Sequence, residues 1–172
     1  MKEIEVKILE INRLGFENKI IILGGEKIFD GEIKGIFFEN EQLGKEKLLR
    51  LRKEENKCVL TLKDVISKDG AKVADEYEVE VSDYEIAKKI FEELGYSIKK
   101  NIRKHRTEYA VDGVKFAFDK YFDEYAFIPE FLEIEAEDQE TLFRYVKLLG
   151  LEKEDCKPWS GGDVIKYYKD KI

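Results

Sequence analysis

Charged side chains recur along this chain on alternate positions, sorted by sign. Glu3, Glu5 and Lys7 alternate with Ile4, Val6 and Ile8, and Arg50 and Arg52 flank Leu51. Glu76, Glu78 and Glu80 interleave with Tyr77 and Val79, Lys104 and Arg106 flank His105, and Glu133 and Glu135 flank Ile134. On an extended strand, alternate residues share a face. Carboxylates held close together repel unless a cation sits among them, and clustered Arg and Lys call for an anion whose oxygens the guanidinium fork can grip. A polyphosphate carrying Mg²⁺ or Mn²⁺, ions that prefer oxygen ligands, satisfies both demands. Gly24-Gly25 lacks the Gly-Lys-Ser/Thr ending of a phosphate-cradling glycine loop, so side chains would have to do the gripping.

The elements that must position these groups follow from periodicity. Met1–Leu9 reads as a strand. The stretch from Asn12 to Gly25 suits a helix through Leu14, Phe16, Ile20 and Leu23, or a strand through its β-branched run, with Gly24-Gly25 ending either. Short strands are expected at Glu26–Phe29 and Ile33–Phe38, with Gly31 in the turn between them. Lys47–Lys53 and Lys57–Val65 form one hairpin, and Asn101–Val111 with Val114–Phe122 another across Asp112-Gly113. Val73–Val81 and Phe131–Ala136 are further strands. Helices are expected after Asp83, ending at Gly95, and over Glu137–Leu149, ending at Gly150. Strand groups followed by helices describe an α+β fold on an antiparallel sheet.

Parity divides the strands into two faces. The outward set (Ile4, Val6, Ile8, Leu49, Leu51, Leu60, Leu62, Tyr77, Val79, Val81, Phe116, Phe118, Leu132 and Ile134) is apolar and should pack on helices. The inward set adds Lys63 and Asp119 to the charged residues above, while His105 turns outward. A half-solvated sheet explains a charged face on any one strand, but it does not explain faces segregated by sign. Several such strands suggest a sheet rolled around a charged interior.

The 172 residues suit one domain with a proper core, and 40% charged against 43% hydrophobic residues argues against disorder. A net charge of -7 argues against general nucleic-acid or membrane-surface binding. The single histidine excludes a His-rich metal site, and Cys58 and Cys156 form no CxxC pair. With no apolar run of spanning length and no signal-peptide pattern, the expected address is cytoplasmic.

Glu3-Ile4-Glu5-Val6-Lys7 resembles the ExExK signature of the CYTH superfamily, the triphosphate tunnel metalloenzymes. Leu49-Arg50-Leu51-Arg52, Thr61-Leu62-Lys63, Asp75-Glu76-Tyr77-Glu78-Val79-Glu80, Lys104-His105-Arg106, Phe118-Asp119 and Leu132-Glu133-Ile134-Glu135 follow in family order. The resemblance implies a single domain over 1–172, an eight-stranded antiparallel β-barrel tunnel with helices packed outside, and a helix after the first strand. It also implies Mg²⁺ or Mn²⁺ as cofactor, Lys7, Arg50, Arg52, Lys63, Lys104 and Arg106 as triphosphate-binding residues, and Glu3, Glu5, Glu133 and Glu135 as metal ligands assisted by Asp119 and Glu78. Lys7 and Glu5 are the catalytic candidates. The partner implied is a small-molecule triphosphate, with no nucleic acid or membrane, in a monomer or homodimer.

Family activities are class IV adenylyl cyclase, thiamine triphosphatase and inorganic or nucleoside triphosphatase. Hydrolysis of the terminal phosphate is the favoured expectation, since no adenine-reading residues stand out. Cyclisation of ATP to cyclic AMP and pyrophosphate is the alternative, and a non-catalytic polyphosphate- or nucleotide-binding module comes third. The Pro158–Gly162 loop reads as a helix start, and Tyr167 and Tyr168 as packing for a last helix.

Overall fold

The computed structural model describes residues 2–172. Eight strands run in the order β1 (Lys2–Ile8), β2 (Glu26–Glu39), β3 (Lys47–Glu54), β4 (Lys57–Ser67), β5 (Lys72–Glu80), β6 (Ser97–Val111), β7 (Val114–Tyr121) and β8 (Phe131–Ala136). They close into one barrel with the spatial order β1-β5-β4-β3-β2-β6-β7-β8, every neighbouring pair antiparallel. Closure leaves no sheet edge exposed and gives the inward face of each strand a shared interior.

Four helices surround the barrel: α1 (Arg13–Ile22), α2 (Tyr84–Glu93), α3 (Gln139–Leu148) and α4 (Gly161–Lys169). Each starts on a side chain that accepts an otherwise orphaned backbone N–H. Asn12 accepts from Gly15, Asp83 from Ile86, Asp138 from Thr141 and Ser160 from Asp163. The Asn12–Gly25 ambiguity thus resolves as helix. Its β-branched run ends at a glycine whose φ of +91° stops the turn.

The outward apolar faces form three clusters. Ile4, Val6, Phe116, Phe118 and Ile134 pack against Ile20 of α1 and Leu142, Tyr145 and Val146 of α3. Ile36, Phe38, Leu49 and Leu51 meet Ala87 of α2. Ile102, Tyr121 and Phe131 meet Val164 and Tyr168 of α4, while Tyr167 stacks near Trp159, as expected of a last helix. Lys7 and Lys157 exchange both backbone hydrogen bonds at 2.9 Å, so the segment leading into α4 is stitched to the end of β1.

Three expectations change. The region Glu26–Glu39 is one strand, not two: Gly31 is paired with Arg106 in mid-ladder, and the irregularities are register shifts between Lys27 and Phe29 and between Phe37 and Phe38. A bulge bends a strand without breaking it, which is how a long stave follows a barrel wall. Tyr77 and Val79 are 64% and 55% exposed and not packed beneath a helix as expected; α2 makes its main contacts with β3, and Tyr77 reaches the cavity rim. Two strands also start early: β5 spans Lys72–Glu80, one residue earlier at each end than expected, and β6 starts at Ser97, four residues before the expected Asn101.

Candidate active site: a charged tunnel

The barrel encloses a cavity of about 770 Å³. Glu3, Glu5, Lys7, Arg50, Arg52, Lys63, Glu76, Glu78, Lys104, Arg106, Asp119, Glu133 and Glu135 all line it. Alternation therefore delivers every expected site residue to one interior. Glu80 is the exception: it lies at the end of β5, 68% exposed at its side chain, and pairs with Lys57 at 2.6 Å outside the cavity. His105 points outward, 3.2 Å from Asp30.

One side of the wall is tightly neutralised. The register sets Lys7 opposite Glu133 and Glu5 opposite both Glu135 and Lys72. Lys7 Nζ lies 2.7 Å from both Glu5 Oε1 and Glu133 Oε2, and Lys72 Nζ lies 2.9 Å from the same Glu5 oxygen. Arg106 grips Asp119 with two bonds of 2.7 Å and reaches Glu133 at 3.0 Å, while Lys104 meets Asp119 at 2.6 Å. Burial alone would neutralise Lys7, but Glu133 and Glu5 outweigh it and hold the ammonium well above its ordinary range. Glu133 is held well below the carboxylate range by Lys7 and Arg106 against its burial. Lys104 moves the other way: burial and the neighbouring Arg106 push it down to about 8, against Asp119.

The opposite side is less balanced. Lys63 Nζ bridges Glu3 at 2.6 Å and Glu76 at 3.1 Å. Arg50 stands 3.8 Å from Glu76 and 3.9 Å from Glu78, and its buried Nε has no hydrogen-bond acceptor. Arg52 Nε, 2.8 Å from Glu54 Oε1, is too poorly aligned to count as bonded. Burial raises the Glu76 carboxyl to about 7, with Lys63 opposing and Glu3 adding to it. Burial and Glu3 likewise raise Glu135 to about 7 against Lys115. Glu3 stays near 2 because Lys63 and Lys72 outweigh its burial.

The sequence reading missed five charged residues of the lining: Glu54, Lys72, Lys100, Glu108 and Lys115. Each extends a series already recognised by one or two steps of period two, from Arg52, Glu76, Lys104, Arg106 and Asp119 respectively. Glu54, Lys72 and Lys100 fall just outside the expected strands, and stopping at runs of like sign hid Glu108 and Lys115. Lys100 differs from the other lining cations. It makes no ion pair among the described residues and rests 4.4 Å from the centre of the Phe37 ring. Gly162 and Ser160 of the α4 start lie beside it, and Ser160, Gly161 and Gly162 line the cavity. The Pro158–Gly162 loop is thus both a helix start and part of one end of the tunnel.

Among the described residues, no three His, Cys, Asp or Glu groups already converge as a metal cage. The donor chemistry nevertheless fits a hard divalent cation. Glu3, Glu76 and Glu135 offer only carboxylate oxygens; burial and the Glu3 charge raise Glu76 and Glu135, while Lys63 and Lys72 hold Glu3 down.

A model of the CYTH domain matches residues 1–158. The chain belongs to the CYTH family. α4 follows the matched span. Among curated proteins, none matches the chain. Among solved structures, the PH1012 protein of Pyrococcus horikoshii OT3 is 29% identical, with 95% of this chain and 98% of that one covered at a TM-score of 0.80. A conserved hypothetical protein of Pyrococcus furiosus is 28% identical, covering 94% and 99% at 0.79. A candidate adenylyl cyclase from Hippeastrum, described as having a dominant triphosphatase activity, shares the fold at 18% identity, covering 96% and 95% at 0.65. No helix of the described residues is long and apolar enough to cross a membrane.

Proposed function

We propose that this CYTH protein is a metal-dependent triphosphatase that removes the terminal phosphate of a triphosphate held in the tunnel. The observation that carries this reading is the convergence of Lys7, Arg50, Arg52, Lys63, Lys104 and Arg106 on one enclosed cavity. Inside a water-poor site, fixed cations stabilise phosphoryl oxygens far better than in bulk water. Lys7 is a permanent cation between two carboxylates, so it holds phosphate oxygens as a donor and does not accept a proton. Glu5 keeps Lys7 and Lys72 in place. The Nε–H groups of Arg50 and Arg52 make no well-aligned hydrogen bond among the described residues.

Glu3, Glu76, Glu78 and Glu135 would hold Mg²⁺ or Mn²⁺, with Glu5, Asp119 and Glu133 committed to lysine and arginine. Such an ion would supply charge neutralisation at the transferring phosphoryl group. Positioning and electrostatics supply most of the catalysis in phosphoryl transfer, and this lining is built for both. The Hippeastrum relative's described triphosphatase activity supports the same reading.

Incubation with tripolyphosphate, thiamine triphosphate and ATP, each with Mg²⁺ or Mn²⁺, should release orthophosphate and the corresponding diphosphate. Cyclic AMP with pyrophosphate would replace this reading by cyclisation on the same clamp. Tight binding without turnover would make the protein a binding module.

A further inference from the structure

One stave of the tunnel is unlike the others. Among the described residues, seven of the eight strands present at least one charged side chain to the cavity, whereas β2 presents Ile28, Phe29, Ile33, Gly35 and Phe37. Ile28, Phe29 and Ile33 belong to none of the three apolar clusters, although Ile33 is only 3% exposed. Phe37 does pack, toward the cluster beneath α4.

The register shows where this apolar strip runs. Phe37 lies between Arg50 and Lys100 at the α4 end, Gly35 between Arg52 and Ile102, and Ile33 between Glu54 and Lys104. Phe29, opposite Glu108, and Ile28, 52% exposed, lie at the end away from α4. A Cβ at Gly35 would find nothing closer than 3.9 Å, so the wall is recessed there. The strip therefore leads from the phosphate-gripping arginines to the mouth opposite α4. At that mouth Glu54 and Glu108 flank it with carboxylates, one oxygen of each facing Arg52 at 2.8 Å or Arg106 at 3.2 Å and the other left to accept.

An inorganic polyphosphate has no surface that an apolar wall recognises. A heteroaromatic ring joined to a triphosphate does: its face gains from Phe29 and Ile33, and its N–H groups and sugar hydroxyls can donate to Glu54 and Glu108. We infer that Ile28, Phe29 and Ile33 of β2 form the seat for the ring of an organic triphosphate, entering from the end of the tunnel opposite α4. The inference rests on the triphosphate reading above and narrows it, from any triphosphate to one carrying a flat organic group.

Calorimetric titration of the wild-type protein and the Phe29→Ala variant, each with ATP and with tripolyphosphate in Mg²⁺ buffer, tests it. Loss of one base–aromatic contact should weaken ATP binding about tenfold and leave tripolyphosphate within about twofold. A second variant at the more exposed position, Ile28→Ser, should shift the ATP-to-tripolyphosphate ratio in the same direction and guards against misfolding of the first. An unchanged ratio in both variants overturns the ring seat while leaving the triphosphate reading intact. If wild-type protein binds neither compound, the triphosphate reading itself falls, and the ring seat with it.

Discussion

The two sides of the tunnel use the same residue types for different work. Around β1, β7 and β8, carboxylates and cations are matched almost one to one: Glu5 with Lys7 and Lys72, Glu133 with Lys7 and Arg106, Asp119 with Arg106 and Lys104. Around β3 and β5, Arg50 stands 3.8 and 3.9 Å from Glu76 and Glu78, and the Nε–H groups of Arg50 and Arg52 find no well-aligned acceptor. Glu76 is lifted to about 7 although Lys63 lies 3.1 Å away. A buried pair that satisfies itself is structural, since breaking it strands a charge. The more loosely matched set is where the proposed triphosphate and metal would bind. Glu135 stands where the two sides meet, paired with Lys115 at 3.1 Å yet raised to about 7.

The sharpest break of that contrast sets Arg106→Ala against Glu76→Gln. Arg106→Ala leaves the Asp119 carboxylate, 1% exposed, without its two-bonded partner. The expected cost is roughly 3–5 kcal/mol, seen as a fall of about 6–20 °C in the thermal midpoint. Glu76→Gln removes a charge that burial already disfavours, so the metal-free midpoint should hold or rise while Mg²⁺ ceases to stabilise the protein. Equal destabilisation by both substitutions would erase the distinction between the two sides.

The titration behaviour sharpens it next. Glu76 and Glu135 have folded values raised from 4.5 to about 7. An acid whose folded value is raised binds protons more tightly folded than unfolded, so stability falls as pH climbs from about 4.5 to about 7. Glu3 has the opposite sign: its value is lowered to about 2, and the stability it contributes is lost as pH falls from 4.5 toward that value. Metal-free protein should therefore be most stable near pH 5, as a rough midpoint of these windows, with its thermal midpoint dropping by several degrees on the way to pH 8. Added Mg²⁺ should recover that loss at the higher pH and do little at the lower. A flat profile for metal-free protein across this range would show that Glu76 and Glu135 are compensated after all.

Much of this was legible in alternation alone, because a side-chain period of two makes the buried face of each strand readable without knowing its neighbours. Glu3, Glu5 and Lys7, or Glu133 and Glu135, need no tertiary information to be placed on one face. What alternation withholds is the partner across the ladder. Nothing near Glu5 in the chain announces Lys72, which the register of β1 and β5 brings to it from 67 residues away. For the same reason, Glu5→Gln reads from sequence as a purely functional substitution, whereas in the barrel it also takes the carboxylate from buried Lys72 and one of two from Lys7. Gly31 misled because glycine marks both turns and bent staves, and only the pairing with Arg106 separates the two. Glu80 continued a perfect pattern past the point where β5 leaves the cavity.

Lys100 supplies the smallest and most selective test. Every other cation of the lining has a carboxylate within 4 Å, so removing one confounds ligand binding with stability. Among the described residues Lys100 forms no ion pair and rests on the face of Phe37; burial together with Lys99 and Arg50 disfavours its charge, against the more distant Asp163. Its ammonium is therefore held at a potential that an incoming anion improves. Lys100→Gln should leave the thermal midpoint of the free protein unchanged or slightly raised. Tripolyphosphate affinity should fall about tenfold, the scale of one hydrogen bond to a charged group. If the substitution instead destabilises the free protein and spares tripolyphosphate binding, Lys100 belongs with the packing beneath α4, and the phosphate row ends at Arg50.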